Sequence, residues 1–358
     1  MSKAFSPLTF DVRSPVVRSA REEWKPHARM SEKSYEWWYV TVYAYDSSGR
    51  SYFLFFDLVN YPGDGWQKRF GHEPVDGHRF VHIVGMVSDY ERQDFRQLYE
   101  FGYLPDTSLW SEEEHAVKAD VGKAKAHWSY GEQHMDLRAE FNDVHLRLRF
   151  DNTNEVVWHQ DKLGVEGMIQ QGAEDDFSFY YSLMRAPTSG RLSLKDANGS
   201  WRHLQISGSS WIDRQWGDFY SLTWEWTSFR FDNGARLHLY NFYNGHQEGV
   251  YLTADGEVRR FDTAIVRQNG YAKAPKIRTW VSWGWSYEFP IEIEGSRFFT
   301  VEPYSAKEFL EVPEIDYALY EGAGRLIDER TRELVGVSVN ESADIRKMEN
   351  GPYGARQR

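Results

Sequence analysis

The residues best suited to chemistry lie in a short acidic and aromatic segment near the middle of the chain. Residues 208–217 read GSSWIDRQWG and set Asp213 and Arg214 between Trp211 and Trp216. A carboxyl group inside an aromatic-lined cavity is poorly solvated as an anion, so its pKa rises and it can donate a proton. The same spacing also suits a turn carboxylate that pairs with Arg214, and the spacing alone leaves both interpretations open.

A second acidic and aromatic segment opens the first clear strand of the sequence. Glu36 stands directly before Trp37, Trp38 and Tyr39. A carboxylate in this setting is more often a polar group at a strand end than an active-site acid. Because two indoles accompany it, Glu36 stays a candidate for the site.

Three histidines, His72, His78 and His82, fall within eleven residues. Metal binding would require their imidazoles to converge on one point. His78 and His82 would share a face of a strand, but a segment with Gly and Pro separates them from His72. We therefore expect no metal site, and expect one neutral histidine, such as His82, to donate or accept a hydrogen bond in a pocket.

Several kinds of chemistry are excluded or disfavoured by what the sequence lacks. The chain has no cysteine, which excludes disulfides, thiolate ligands and cysteine nucleophiles. It has no Gly-x-Ser-x-Gly motif and no Gly-rich phosphate-binding loop. ATP, NAD and flavin are therefore not expected, and we predict activity without a cofactor.

The composition also restricts the partners of the chain. Its 54 acidic and 42 basic residues give a net charge of -12, which opposes binding to nucleic acid. No apolar run reaches the roughly 18 residues that span a bilayer, and the first thirty residues lack a signal-peptide core. We expect a cytoplasmic protein that binds an apolar small molecule and does not insert stably into membranes. The oligomeric state is left open.

The elements that must position these residues are predominantly strands. Residues 39–45 alternate with period two and are followed by the turn sequence Asp46–Gly49, which predicts a hairpin; alternation recurs at 145–150, 236–240 and 280–287. Only residues 105–125 and 305–312 are predicted to be helical or irregular. Many antiparallel strands with few helices predict an all-β sandwich or closed barrel. Aromatic residues, 16% of the chain, suit both pleated sheets and an apolar pocket.

Length favours two domains, because 358 residues exceed one ordinary core. The sequence offers no sharp linker, but a new aromatic block begins after residue 208. We predict an N-terminal β domain over residues 1–205, a C-terminal β domain over 206–345 and a loose tail over 346–358.

Four motifs occur in the order found in one known family. They are residues 36–39 (EWWY), 180–182 (YYS), 208–217 (GSSWIDRQWG) and 320–322 (YEG). With them, the chain resembles the lipocalin-like carotenoid 1,2-hydratase (hydroxyneurosporene synthase) family, which includes AttH-like proteins, over roughly residues 30–342. Two departures stand out: Arg214 occupies a position where many relatives have histidine, and Val339 replaces a tyrosine while Glu341 keeps the acid.

The resemblance implies two consecutive lipocalin-like antiparallel β-barrel domains with a pocket near their junction. The family includes hydratases of terpenoids and phenolics and fungal relatives that fold polyenes for cyclisation. The leading hypothesis is therefore a hydratase or dehydratase acting on an apolar unsaturated terpenoid, prenylated or phenolic molecule. The alternatives are an isomerase or cyclase of a polyene, or a carrier without catalysis.

The leading hypothesis gives each candidate residue a role. Asp213 would donate a proton to the alkene, and Glu36, His82 or Tyr181 would position the water and accept its proton. Aromatic faces would stabilise the resulting carbocation by cation–π attraction. The expected substrate-binding residues are Trp37, Trp38, Trp211, Arg214, Trp216, Trp224, Tyr240 and Glu321.

Overall fold

The computed structural model describes residues 19–161, 164–171, 176–220, 224–242, 245–277, 279–315 and 317–343. The predicted tail at 346–358 lies outside these residues. Within the described ranges, no helix combines the length and the apolar character needed to cross a bilayer.

The first sheet contains thirteen strands, and its neighbouring strands run antiparallel. Its strands are β1 (Ser34–Asp46), β2 (Ser51–Tyr61), β3 (His78–Asp89), β4 (Asp94–Pro105), β5 (Trp110–Ser111), β6 (Ala116–Val121), β7 (Ala124–Tyr130), β8 (His134–Glu140), β9 (Val144–Asp151), β10 (Val157–Trp158), β11 (Met168–Gln170), β12 (Phe177–Lys195) and β13 (Trp201–Asp218). Their order in the sheet is β4-β3-β2-β1-β13-β12-β9-β8-β7-β6-β5, and β10 and β11 pair with β12.

The second sheet contains ten strands from the C-terminal part of the chain. Its strands are β14 (Trp224–Phe231), β15 (Arg236–Phe242), β16 (Gln247–Leu252), β17 (Val258–Phe261), β18 (Ile265–Gln268), β21 (Trp285–Ile293), β22 (Ser296–Pro303), β23 (Phe309–Val312), β24 (Tyr317–Asp328) and β25 (Leu334–Ala343). The order is β17-β16-β15-β14-β25-β24-β22-β21-β18, with β23 paired to β24. Two further strands, β19 (Tyr271–Lys273) and β20 (Trp280–Ser282), pair with each other.

Helical structure among the described residues is short. It comprises one α-helix, α1 (Asp64–Arg69), and 3-10 turns at Glu22–Trp24 and Pro313–Ile315. The predicted all-β class is confirmed, and the strands form two large antiparallel sheets, one from the N-terminal and one from the C-terminal part of the chain.

Two local predictions need correction. Residues 105–125 were expected to be helical or irregular, but they contain β5, β6 and the start of β7. The acidic residues 112–114, which suit a helix start, lie instead in the turn between β5 and β6. The segment 305–312 likewise ends in β23. In both places sheet pairing overrides the local preference of the sequence.

The position of the domain boundary remains a proposal. Residue 205 lies inside β13, which pairs along its length with β1 and β12 of the first sheet. The second sheet begins at Trp224. We therefore propose a boundary between Asp218 and Trp224 instead of near residue 205.

The first sheet is buried on both faces where β1, β2, β3 and β13 lie. In β1, Trp38 and Val40 point into the interior of the N-terminal domain. Trp37 and Tyr39 point the other way, into a second core that they share with the second sheet. Because successive side chains of a strand point to opposite faces, each strand contributes to both cores.

Candidate active site

A cavity lies between the two sheets, in the core that they share. The space in it that can hold the centre of a water molecule is about 90 Å³, and all the space between its lining atoms, open solvent included, is about 810 Å³. Eleven of its twenty lining residues are aromatic, five are aliphatic and four are ionisable, so the cavity suits an apolar organic ligand. The ionisable residues are Asp57, His82, Asp213 and Glu341.

One row of polar side chains crosses the first sheet beneath this cavity. In the strand register, Tyr39 of β1 is the partner of Asp57 on β2 and of Asp213 on β13. Asp213 is in turn the partner of Ser182 on β12. Directly paired residues of neighbouring strands point to the same face, so the four side chains form a continuous row.

Asp213 is held by hydrogen bonds to both of its carboxylate oxygens. Tyr180 Oη donates to Oδ2 at 2.8 Å, and Trp211 Nε1 donates to Oδ1 at 2.7 Å. Ser182 Oγ also donates to Oδ1. Burial raises the pKa of Asp213 to about 6, although these hydrogen bonds oppose the shift. A carboxylate with three donors and this pKa is mostly ionised at neutral pH and can accept a proton.

A second row crosses the second sheet on the opposite wall. Glu341 of β25 is the register partner of Glu321 on β24 and of Trp226 on β14, and Trp226 is the partner of Tyr240 on β15. Tyr39 Oη donates to Glu321 Oε1 at 2.8 Å and thereby connects the two rows.

Glu321 and Glu341 form a buried carboxyl pair. Burial and their mutual repulsion raise the pKa of Glu321 well above its ordinary value, and burial also raises the pKa of Glu341. Trp224 Nε1 donates to Glu341 Oε1 at 2.5 Å. Two adjacent buried carboxyls cannot both be ionised at low cost, so the pair retains a proton at neutral pH.

Asp57 and His82 complete the set of ionisable groups in the cavity. Asp57 Oδ1 is buried without a hydrogen-bond partner among the described residues. Burial, together with repulsion from Glu341 and Asp213, raises the pKa of Asp57 well above its usual value. Burial lowers the pKa of His82 to about 3, so His82 is neutral, and its Nδ1 lies 3.2 Å from Tyr61 Oη.

Several of the predicted site residues meet at this cavity. Its lining includes Trp37, His82, Asp213, Trp224 and Tyr240. Trp211 and Glu321 do not line the cavity themselves. Trp211 donates a hydrogen bond to Asp213, and Glu321 is the register partner of Glu341.

The remaining predicted residues face the other core, and for them the expected placement is corrected. They are Glu36, Trp38, Tyr181, Arg214 and Trp216. Glu36 and Arg214 alternate with the cavity-facing residues Trp37 and Asp213, so strand geometry directs them to the opposite face. Tyr181 Oη donates to the carbonyl oxygen of Ala20 at 2.7 Å. Its side chain lies in the core of the N-terminal domain and does not reach the cavity in which it was expected to position water.

The side chains of Glu36 and Arg214 form a structural ion pair. The Arg214 guanidinium stacks 4.1 Å from the ring centroid of Trp38 and bonds Glu36 Oε2. Burial alone would raise the pKa of Glu36, but the Arg214 charge and the His27 hydrogen bond hold it at about 2. Glu36 is therefore ionised, and both of its carboxylate oxygens accept hydrogen bonds in the N-terminal core.

Sequence reasoning missed Tyr39, Asp57 and Trp226 as cavity residues and gave Glu341 no role. Strand alternation could have found Tyr39, because it is two residues from Trp37, and cross-strand pairing across the hairpin could have found Asp57. Trp226 and Glu341 line the same cavity as Asp213 because the two sheets pack against each other. No local sequence pattern predicts such packing.

A buried histidine cluster lies behind Asp213. His159 Nε2 is 2.7 Å from Ser182 Oγ, and His159 Nδ1 is 3.1 Å from both oxygens of Glu248. His238 Nε2 is 2.9 Å from Glu248 Oε2. The three groups have the residue types and proximity of metal ligands. His72, His78 and His82 do not form a cluster of this kind: His82 lines the cavity, while His78 is exposed and its Nδ1 lies 2.9 Å from the carbonyl oxygen of Asp76.

Two lipocalin-like sheets with an aromatic cavity between them define the class of this protein. The sequence profile of the AttH-like family matches residues 22–334. The chain therefore belongs to the AttH-like family, and the resemblance noted from its motifs is confirmed. A search of curated protein sequences gives no significant match.

Solved structures share the fold across most of the chain. A putative AttH from Nitrosomonas europaea has a TM-score of 0.67 at 14% identity, covering 87% of this chain and 92% of its own. Kievitone hydratase from Nectria haematococca has a TM-score of 0.59 at 16% identity, covering 86% and 89%. The protein CghA has a TM-score of 0.54 at 10% identity, covering 88% and 89%. At these identities the similarity concerns the fold.

Proposed function

We propose that the protein adds water to, or removes it from, a carbon–carbon double bond of an apolar small molecule without a cofactor. One observation carries the proposal. Buried carboxyls on opposite walls of one aromatic cavity have different surroundings: three donors bond Asp213, which favours its anion, while Glu321 and Glu341 lie against each other, which favours a retained proton. Acid and base roles follow from environments that push neighbouring pKa values apart.

In the hydration direction, the proton retained by the Glu321 and Glu341 pair passes to one alkene carbon through Glu341, the member of the pair that lines the cavity. The carbocation that forms takes up a water molecule, and Asp213 accepts the proton that this water loses. One C–H bond and one C–O bond form, while the alkene π bond, the carboxyl O–H bond of Glu341 and one O–H bond of the water break. The proton on Asp213 then returns to the Glu321 and Glu341 pair through solvent. The hydrogen bonds around Asp213 therefore favour the role of proton acceptor over the donor role expected from the sequence.

The aromatic walls supply the remaining requirement of this chemistry. A carbocation is attracted to the face of an indole or phenol ring by about 0.5–2 kcal/mol for each ring. Trp37, Trp224, Trp226 and Tyr240 line the cavity and are the proposed contacts. The same walls favour an apolar substrate of the terpenoid, prenylated or phenolic kind. That a protein named kievitone hydratase shares the fold supports the reaction class.

The proposal is tested by labelled water. The protein is first extracted to identify any bound compound by mass spectrometry, and that compound or a panel of apolar alkenes is then incubated with it in H₂¹⁸O. Hydration yields a product that carries one labelled oxygen, and dehydration yields a product that has lost one molecule of water. A product of unchanged mass identifies an isomerase or cyclase, and unchanged compound identifies a carrier; either result contradicts the proposal.

A further inference from the structure

The buried cluster of His159, His238 and Glu248 plays no part in the reaction proposed above. All three side chains are fully buried, and none of them lines the cavity. The imidazoles meet at a centroid separation of 4.5 Å, and Glu248 contacts both. The cluster comes from both sheets, since His159 follows β10 while His238 and Glu248 lie on β15 and β16.

The chain of contacts that joins this cluster to Asp213 has one hydrogen fewer than it needs. Three contacts in series join Asp213 to Ser182, Ser182 to His159, and His159 to Glu248. Each contact needs one hydrogen, but ionised carboxylates at both ends leave only the hydroxyl of Ser182 and the single N–H of a neutral imidazole. If Ser182 donates to Asp213, then His159 Nε2 donates to Ser182. The Nδ1 lone pair then faces the Glu248 carboxylate.

His238 presents the same problem independently. Its Nε2 lies 2.9 Å from Glu248 Oε2 but outside hydrogen-bond geometry, and its Nδ1 has no hydrogen-bond partner among the described residues. A buried polar group that is left unsatisfied costs about 1–3 kcal/mol. A cation shared by the two ring nitrogens and the carboxylate would satisfy Glu248, His159 Nδ1 and His238 Nε2 together.

We propose that His159 Nδ1, His238 Nε2 and one oxygen of Glu248 bind a divalent first-row transition-metal ion such as Zn²⁺. Two imidazoles and one carboxylate form a donor set that such ions favour. A metal-bound histidine commonly donates its other ring N–H to an acceptor that orients the ring. For His159 that acceptor is Ser182 Oγ, which in turn donates to Asp213.

The position of the cluster gives the metal a structural role. None of its three ligands lines the cavity, and the ring of Tyr180 stacks 3.7 Å from that of His159. The ion would join the two sheets and would fix the direction of the hydrogen bonds that end on Asp213. This inference concerns binding alone and does not depend on the reaction proposed for the cavity.

The first test measures metal in the intact protein. Protein purified without chelators is analysed by elemental mass spectrometry, and we expect about one equivalent of a first-row metal. After chelation, adding Co²⁺ should give the visible absorption of a low-coordinate nitrogen and oxygen site, and adding Zn²⁺ should raise the Tm. Absence of metal after purification and after Zn²⁺ incubation, with an unchanged Tm, would overturn the proposal and indicate that an additional proton completes the cluster.

Variants assign the binding to these residues. Glu248→Gln and His238→Gln should lower the metal content at least about tenfold, because each removes one of three ligands. The matched control is His115→Gln, since His115 is also buried but bonds the carbonyl of Arg21 and should leave the metal content unchanged. Equal loss in all three variants, or none in the first two, would contradict the assignment. If the variants do not fold, the Co²⁺ spectrum and the Tm shift of the unaltered chain still decide.

Discussion

At the scale of single residues, the site depends on how its carboxyl groups are surrounded. Asp213 receives three hydrogen bonds, which stabilise its anion despite burial. Glu341 is hydrogen-bonded to Trp224 and to the neighbouring carboxyl of Glu321, and two anions side by side are disfavoured. The sequence singled out Asp213, but the role proposed for it depends on Tyr180 and Ser182, which are distant in sequence and become its neighbours only through the pairing of β12 with β13.

Removing the acid of the pair should slow the reaction selectively. We expect Glu341→Gln to lower kcat by about 10²- to 10⁴-fold, the usual contribution of a general acid, because an amide cannot supply the proton. Binding of the substrate should change little, since the shape of the cavity is retained. Steady-state kinetics and calorimetry would measure both, with the exposed Glu333→Gln as control. An unchanged kcat would contradict the role of Glu341.

The pH dependence of kcat/KM should reflect the ionisation of Asp213 on one wall of the cavity and of the Glu321 and Glu341 pair on the other. Because burial raises the pKa of Asp213 to about 6, kcat/KM in the hydration direction should rise with pH through about 6 as the base ionises. At higher pH it should fall as the carboxyl pair loses its proton. A profile that decreases through pH 6 would indicate that Asp213 acts as the acid, as the sequence alone suggested.

At the scale of elements, strand alternation decides which side chains reach the cavity. Sequence motifs identified β1 and β13 as the important strands, and both contribute to the site. The motifs could not tell which face of each strand is functional, because both faces are buried and both carry aromatic residues. About half of the predicted residues on these strands, including Trp38 and Arg214, therefore lie in the structural core instead.

The two faces of β1 predict different consequences of mutation. Glu36→Gln should destabilise the fold by about 3–5 kcal/mol, because it leaves the Arg214 charge buried without its partner. Denaturant unfolding would measure the loss, and ligand affinity of the folded protein should be unchanged. As a control, Glu91→Gln removes one partner of the exposed Arg50–Glu91 ion pair and should change the stability far less. Loss of affinity in Glu36→Gln without loss of stability would reverse our assignment of the faces.

At the scale of the whole molecule, the two sheets form one functional unit. Their shared core contains the cavity, and each sheet supplies one of its polar rows. The all-β class, the two domains and a pocket near their junction were predictable from alternation, composition and the family resemblance. The way the sheets face each other was not, because it depends on long-range contacts such as that of Tyr39 with Glu321.

Glu308 joins the two sheets and should make stability depend on pH. It accepts hydrogen bonds from Ser88 at 2.8 Å and Tyr90 at 2.6 Å, and burial raises its pKa to about 8. An acid with a raised pKa in the folded state contributes stability that is complete at low pH and is lost as pH rises through that pKa. Between its unfolded and folded pKa values the loss is about 1.4 kcal/mol per pH unit.

We therefore expect the Tm to fall between pH 7 and pH 8, a range in which unfolded histidines are already largely neutral. Thermal unfolding across this range would measure the effect. Glu308→Gln should show a smaller fall, because the amide does not ionise. The same slope in both proteins would assign the effect to the cavity carboxyls rather than to Glu308.

The proposed mechanism requires Asp213 to accept a proton in a cavity that binds an apolar alkene. Once the ligand is identified, single-turnover incubation in H₂¹⁸O should compare the unaltered protein with Asp213→Asn, while calorimetry follows binding. We expect Asp213→Asn to bind the ligand with similar affinity but to incorporate labelled oxygen at least about a hundredfold more slowly. Incorporation at the original rate by Asp213→Asn would contradict the proposed mechanism.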